Sequence, residues 1–306
     1  MYGGEITNNA ATENSNNGGG VQVYTGMFNM TGGTIGGEGK GNTARNGGSG
    51  VYVRKAAFTM SGDAAIIGNS AGGSGGGVLV SDSGTFTMSG DAKIIDNQAT
   101  GNQSNGGGVC MSNGQFTMSG DATITGNSCS SASTYSNGGG VFIDSNGTFN
   151  VSDNVQITGN TKNNKANNVY LGQYNDNPMS IITIAGALAD GAKIGVTPQT
   201  SPAAGSPVTI AKGATDYSVQ DADAKVFFAD AGTDYKAQLN GTDIQLAEGH
   251  ADHPICGATC PGHTVNGKTV THDESVEWTA INDAEGLKNA QANGYYYLTQ
   301  NVKLSG

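Results

Sequence analysis

The chain has 306 residues, 51 of them glycine, with 7% aromatic residues, 13% charged residues and a formal net charge of -11 at neutral pH. An isoelectric point near 4.6 argues against nucleic acid and anionic membranes as partners, and no run of about 18 apolar residues offers a bilayer span. Glycine follows no three-residue period and the apolar residues recur at fixed intervals, so neither a collagen-like nor a structureless low-complexity chain fits.

The first 172 residues repeat themselves. "AFTMSGDAAIIGN" (57–69), "TFTMSGDAKIIDN" (85–97) and "QFTMSGDATITGN" (115–127) place Phe58, Phe86 and Phe116 at intervals of 28 and 30 residues, with weaker copies around Phe28 and Phe149. A second phrase, Gly-Gly-Gly-Val or a relative, keeps step at Val21, Val51, Val78, Val109, Val141 and Val169. A fixed period of this size is the signature of a stacked architecture.

Each unit holds three short alternating segments, exemplified by 86–88, 92–94 and 109–111, separated by Ser, Gly, Asp and Asn clusters that read as turns. Period-two alternation turns Phe86, Met88, Ala92, Ile94, Val109 and Met111 inward and Thr87, Lys93 and Cys110 outward. Glycine and β-branched residues, without stripes at 3.6-residue spacing, rule out a helical reading. Strands too short to pair within a unit are best satisfied by coiling, each pairing in parallel with its copy about 4.8 Å away. The predicted fold class is all-β.

The "FTMSGDAxI" and "NGGGV" phrases resemble the right-handed parallel β-helix repeats in surface proteins of Gram-positive, often gut-dwelling bacteria. They are broadly similar to the short F-x-x-N and G-G-A-[ILV] repeats of chlamydial polymorphic outer-membrane proteins. The resemblance covers about residues 1–172 and implies a right-handed parallel β-helix of about six to seven coils, in an adhesin-like protein with an extracellular, cell-surface home. It leaves activity open, because this fold carries adhesins, pectin-cleaving enzymes and passive stalks alike.

Two polar columns accompany the repeat. Asn69, Asn97, Asn127 and Asn160 follow the second strand and read as a stacked turn ladder. Asp63, Asp91, Asp121 and Asp153 follow the first strand and read as a solvated turn or as weak calcium ligands. Length variation concentrates between the second and third strands ("SAGGS", "QATGNQSN", "SCSSASTYSN"), on one edge that reads as a binding face or as flexible filler. The outward column of the third strand, Gln22, Tyr52, Leu79, Cys110, Phe142 and Tyr170, is unusually apolar. Such a stripe is either covered, here by the chain beyond 172, or used. As a used surface, Tyr52, Leu79, Phe142 and Tyr170 are the candidate binding residues, for sugar rings or a partner.

Beyond Leu171, "SIITIAGALADGAKIGVT" (180–197) reads as a last degenerate coil, and residues 226–249 as short strands ending in a hairpin at Asn240-Gly241. A cap over residues 198–249 would cover the open end of a helix spanning 1–197. In the 250–276 segment, a linker or mini-module, His253, Cys256, Cys260 and His263 have a spacing that suits zinc, a Cys256–Cys260 disulfide or a plain linker. Residues 277–306 read as the start of a following domain, a capping helix then an aromatic strand. Met1 sits where Met30 and Met60 sit in later repeats, so a piece of a longer protein is expected.

For function, the repeat region holds Arg45, Arg54 and Lys55 without a dense carboxylate group beside them, and all four histidines lie at 250 or later. The expectation is a non-enzymatic cell-surface module, a rigid rod presenting binding surfaces. Its partners would be a host glycan or protein, or other surface domains of the same polypeptide, with no catalytic residues and no cofactor beyond zinc at the Cys/His segment. The alternative is a carbohydrate-binding or polysaccharide-degrading β-helix of the pectate-lyase kind.

Overall fold

Phe28, Phe58, Phe86, Phe116 and Phe149 stand one above another, their ring centroids 5.3, 4.9, 4.7 and 4.8 Å apart and their planes within 12° of parallel. The last four are at most 1% exposed. In this computed structural model they form the spine of a parallel β-helix of about seven coils. The structure describes residues 1–248 apart from 14–16, 131–132, 134, 145, 174–176, 204–205 and 232–234. Beyond them it describes the short strands His263–Val265, Lys268–Val270, Trp278–Ile281 and Tyr295–Leu298.

Each coil presents three sheets. The first contains Met27–Met30, Ala57–Met60, Thr85–Met88, Gln115–Met118 and Thr148–Asp153, paired in register so that Phe lies on Phe throughout and Met on Met as far as Met118, which lies on Val151. The second runs through Thr34–Gly36, Ala65–Ile67, Lys93–Ile95, Thr123–Thr125 and Gln156–Thr158, stacking Ile35, Ile66, Ile94, Ile124 and Ile157. The third runs from Val21–Val23 through Val51–Arg54, Val78–Ser81, Val109–Ser112 and Val141–Ile143 to Val169–Leu171. The inward residues of all three meet in one continuous core.

A fourth element lies in the corner between the second and third sheets. Thr43–Ala44, Ser70–Ala71, Gln98–Ala99 and Ser128–Cys129 are two-residue strands in parallel register, and Ala44, Ala71, Ala99 and Cys129 are buried beneath them. Two residues are too few to show a period in the sequence.

The glycine run is where neighbouring coils touch. Gly106 takes the left-handed φ of 66°, and a Cβ on Gly107 would lie 2.3 Å from the Ser128 carbonyl oxygen and 2.5 Å from that of Gly139. The first glycine is thus needed for its dihedral and the second for backbone approach.

The asparagine ladder is longer than the repeat alone suggests. Asn69 Nδ2 donates to Asn97 Oδ1 at 2.9 Å, Asn97 to Asn127 at 3.0 Å and Asn127 to Asn160 at 2.9 Å. Each backbone N–H donates to the same oxygen. Asn9 and Asn42 extend the ladder at one end and Asn168 at the other. Every amide donates to the amide oxygen of the next coil toward the C-terminus, and also to an isoleucine carbonyl of the coil before, so the last one needs an acceptor beyond it. Asp230 supplies it: its carboxylate accepts from Asn168 N–H at 2.6 Å, Asn168 Nδ2 at 2.5 Å and Thr197 Oγ1 at 2.8 Å. Burial pushes the Asp230 pKa above the ordinary carboxylate value, against these hydrogen bonds, which lower it.

The aspartate column requires a correction. Asp63, Asp91 and Asp121 are exposed in the turn, but register pairs Gln156 with Thr123, which sets Asn154, not Asp153, on Asp121. Asn154 Nδ2 donates to Asp121 Oδ1 at 2.7 Å, while Asp153, at φ 64°, takes the left-handed place of Gly120, at φ 67°. Matching by residue type rather than by position displaced the column by one.

At the C-terminal end, Lys193–Pro198 pairs with Gln156–Thr158 through its first half and with Val169–Leu171 through its second, merging two sheets without a corner. Gly195 lies at the junction, where a Cβ would come within 2.5 Å of Asn168 and Asp230 side-chain atoms. Val208–Gly213 extends the first sheet in parallel and then pairs antiparallel with Asp243–Glu248, which forms a hairpin with Tyr235–Asn240.

Replacing Phe86 with Ala is expected to cost about 3–5 kcal/mol, the range for emptying a closed aromatic site. Denaturant unfolding measures it, and a loss under about 1 kcal/mol would contradict a tight stack. Asp230→Asn turns one of two acceptors into a donor facing Asn168 Nδ2. A loss of roughly 1–3 kcal/mol is expected by the same measurement, and an unchanged midpoint would show that the ladder needs no carboxylate end.

Candidate functional site: a groove along the third sheet

The outward column of the third sheet is in register from Gln22 through Tyr52, Leu79, Cys110, Phe142 and Tyr170 to Thr197. It is not an open stripe. Tyr52 and Cys110 are buried, and Leu79, Phe142 and Tyr170 are half-buried. Most of the covering chain is the corner that leads into the third sheet. The segment beyond 172, expected to fold back over the stripe, contributes among the described residues Gln173 and Gln199 beside Tyr170.

One wall of the resulting groove is built by residues just before each glycine run. Asn105 N–H donates to Ser74 Oγ at 3.0 Å, and Asn137 N–H donates to Asn105 Oδ1 at 2.8 Å. This rail runs opposite in direction to the buried asparagine ladder. The insert before Asn105 is pinned from below, where Ser104 is 1% exposed and its carbonyl accepts from Cys129 Sγ at 3.2 Å. Residues that end the strands, Ser81, Ser112 and Asp144, form the other wall.

Two depressions open between these walls and share Asn105 and Phe142. The first, about 440 Å³, has Leu79, Cys110 and Phe142 as its floor; the second, about 770 Å³, is lined by Phe142, Tyr170, Gln103, Tyr135, Asn137 and the two glutamines. Phe142 and Tyr170 lie 5.7 Å apart with planes 8° from parallel. Stacked from coil to coil, each shields one face of the other, and both line the second depression.

The structure therefore brings Leu79, Phe142 and Tyr170 into one groove and leaves Tyr52 outside it. Tyr52 packs against the edge of Tyr24 at 6.1 Å and accepts from Ser81 Oγ at 3.1 Å. Arg54 is occupied as well: it lies over the Tyr24 ring and bonds Asp82 at 2.6 Å, which raises its pKa. His253, Cys256 and Cys260 lie outside the described residues. His263 opens a strand antiparallel to Lys268–Val270, and its side chain lies outside the description. Among the described residues no three His, Cys, Asp or Glu side chains converge, and no helix is long and apolar enough to cross a membrane.

Sequence reasoning missed the walls. Its signal for them was the Asn or Ser preceding the glycine run, at Ser74, Asn105 and Asn137, each five residues before its member of the apolar column. The variable edge and the stripe, two separate candidates in the sequence, are the wall and the floor of one groove.

No known protein family, curated protein or solved structure matches the chain. What the fold and the groove define is a class: a parallel β-helix with a lateral, solvent-open cleft of amides and hydroxyls over an apolar floor.

Burial pushes the Cys110 thiol up to about 12, with Asp144 adding to the shift. The thiolate is the reactive form, so Cys110 and the buried Cys129 are expected to resist a thiol reagent at pH 8 until the protein is unfolded. Thiol counting in native and denaturing buffer checks this, and rapid labelling of Cys110 in the native protein would contradict it.

Proposed function

We propose that this chain is a non-catalytic module of an extracellular, adhesin-like surface protein, a rigid β-helix rod that presents its lateral groove to an extended ligand on a host glycan or protein. The groove carries this reading: it follows the rod axis from Leu79 to Gln199, with a continuous floor and a hydrogen-bonding wall. A cleft of this kind binds a chain by many modest contacts. Support against catalysis comes from the lining, in which, among the described residues, Asp144 is the one carboxylate and Cys110 is a buried thiol of raised pKa. Acid–base cleavage of a glycoside commonly needs two carboxyl groups across the bond, and a site for general acid–base work gathers groups of shifted proton affinity. The acidic, Asn/Gly/Ser/Thr-rich sequence suits an exterior location.

The test is an activity screen on pectin, mucin glycans and related polysaccharides, run beside a binding array. No new reducing ends or unsaturated products are expected from the full chain. Any binding is expected to weaken by roughly tenfold or more in a Phe142→Ser, Tyr170→Ser double variant, the scale for losing one or two aromatic contacts. Turnover on any polysaccharide would overturn the non-catalytic reading, and binding indifferent to the double variant would remove the groove as its site.

A further inference from the structure

Cys110 is the small residue in a column of large ones, and its neighbours lean away from it. Leu79 leans back over the preceding coil, its Cδ2 lying 2.7 Å from where a Cβ on Gly47 would be. Phe142 leans forward, its Cζ lying 3.3 Å from where a Cβ on Gly172 would be. Leu79 and Phe142 are two coils apart, about 9.6 Å at the usual strand spacing, and the van der Waals thickness of both leaves roughly 6 Å clear between them. That height holds one ring. The ring face of Phe142 turned toward Cys110 is the one that Tyr170 does not cover.

The slot is apolar along the rod axis and polar at both sides. Leu79 and Phe142 bound it axially, Asn46, Ser74 and Asn105 line the corner side, and Ser81, Ser112 and Asp144 line the other. Asn105 Oδ1 already accepts from Asn137, which leaves its Nδ2 to donate. One oxygen of Asp144, Oδ1, accepts from Asn146 N–H at 3.0 Å, which leaves Oδ2 to accept. A purely aromatic ring entering here would desolvate these side-wall groups without replacing their hydrogen bonds.

We infer that the slot above Cys110 takes one pyranose ring of an uncharged oligosaccharide, its C–H faces held between Leu79 and Phe142 and its hydroxyls bonded to the two polar walls. This deepens the binding reading of the groove and rests on it. An uncharged sugar is specified because, among the described residues, the slot's one charged group is Asp144, and the chain carries a net charge of -11, both unfavourable to uronates. Adjoining sugar units extend into the second depression, where Gln103, Gln173 and Gln199 line the space beside Tyr170.

Cys110→Phe tests the slot directly, since the new ring would stack on Phe142 as Phe142 stacks on Tyr170. The full chain is titrated by calorimetry with neutral gluco-, manno-, xylo- and N-acetylglucosamine oligosaccharides, with trigalacturonate, and with N-acetyltyrosinamide as the aromatic probe. At least one neutral oligosaccharide is expected to bind, roughly tenfold more weakly in Cys110→Phe, the scale of one well-packed ring contact. Binding is expected to be unchanged in Lys93→Ala on the second sheet. If Cys110→Phe does not fold, Asn105→Ala and Asp144→Asn are expected to give the same loss. Neutral sugars that bind Cys110→Phe, Asn105→Ala and Asp144→Asn undiminished but lose affinity in Tyr170→Ser would overturn the slot and leave the groove standing. Preference for trigalacturonate or N-acetyltyrosinamide, lost in Cys110→Phe, would overturn the ligand class. Binding indifferent to every groove substitution, or no binding by any probe, would overturn the slot and the groove together.

Discussion

Parallel in-register stacking at about 4.8 Å per coil is the constraint from which the rest of this molecule follows. A residue that faces inward has its own copy directly above and below, so the best neighbour for a phenylalanine is a phenylalanine at the same height. Parallel rings at this spacing fall in the offset-stacked range, and the spine from Phe28 to Phe149 uses it in every coil. The same geometry explains the glycines. Backbones in the corner approach as closely as strands do, and at Gly107 there is no room for a methyl group.

Stacking also gives polar columns a direction. An amide in a ladder donates on one side and accepts on the other, so a column of identical residues is polar from end to end. In the buried ladder each side-chain nitrogen donates to the amide oxygen of the next coil toward the C-terminus and also to an isoleucine carbonyl of the coil before, and the run closes on Asp230, which has only acceptors to offer when ionised. Ending a buried ladder on another amide would leave a donor without a partner, at a penalty of about 1–3 kcal/mol. The carboxylate is itself desolvated, which raises its pKa, but three donors converge on it. Gly195 then reads as the clearance that lets this end piece reach the column.

Much of this was legible in the amino-acid sequence wherever the structure repeats a residue at a fixed interval. Phe86, Ile94, Asn97 and Val109 announce their neighbours because the same letters return in step. The corner strand Gln98–Ala99 was hidden because two residues carry no period. Asn42 was hidden by extra residues between Ile35 and the ladder position, and Asn168 by a hairpin inserted after Asn160. Asp230 lies 62 residues from the Asn168 it caps, and nothing local marks it. The groove was half legible. Its floor is an alternation pattern, but whether an insert rises beside the sheet or folds away depends on tertiary pins such as Cys129 beneath Ser104.

Function in such a rod has to live where the stacking rule is relaxed. Inward positions accept only residues that suit their own copies, whereas outward positions of the third sheet carry Tyr, Leu, Cys, Phe and Tyr in succession. Unequal side chains at equal heights create hollows, and the hollow over Cys110 is the direct result. The corner adds depth independently, since its inserts lengthen from residues 69–75 to 97–106 to 127–138 without a change in core register. The wall therefore grows toward the C-terminal end, where the larger depression lies beside Tyr135. A β-helix can in this way reshape its lateral surface by exchanging outward residues and corner loops, while the phenylalanine spine beneath them is kept from Phe28 to Phe149.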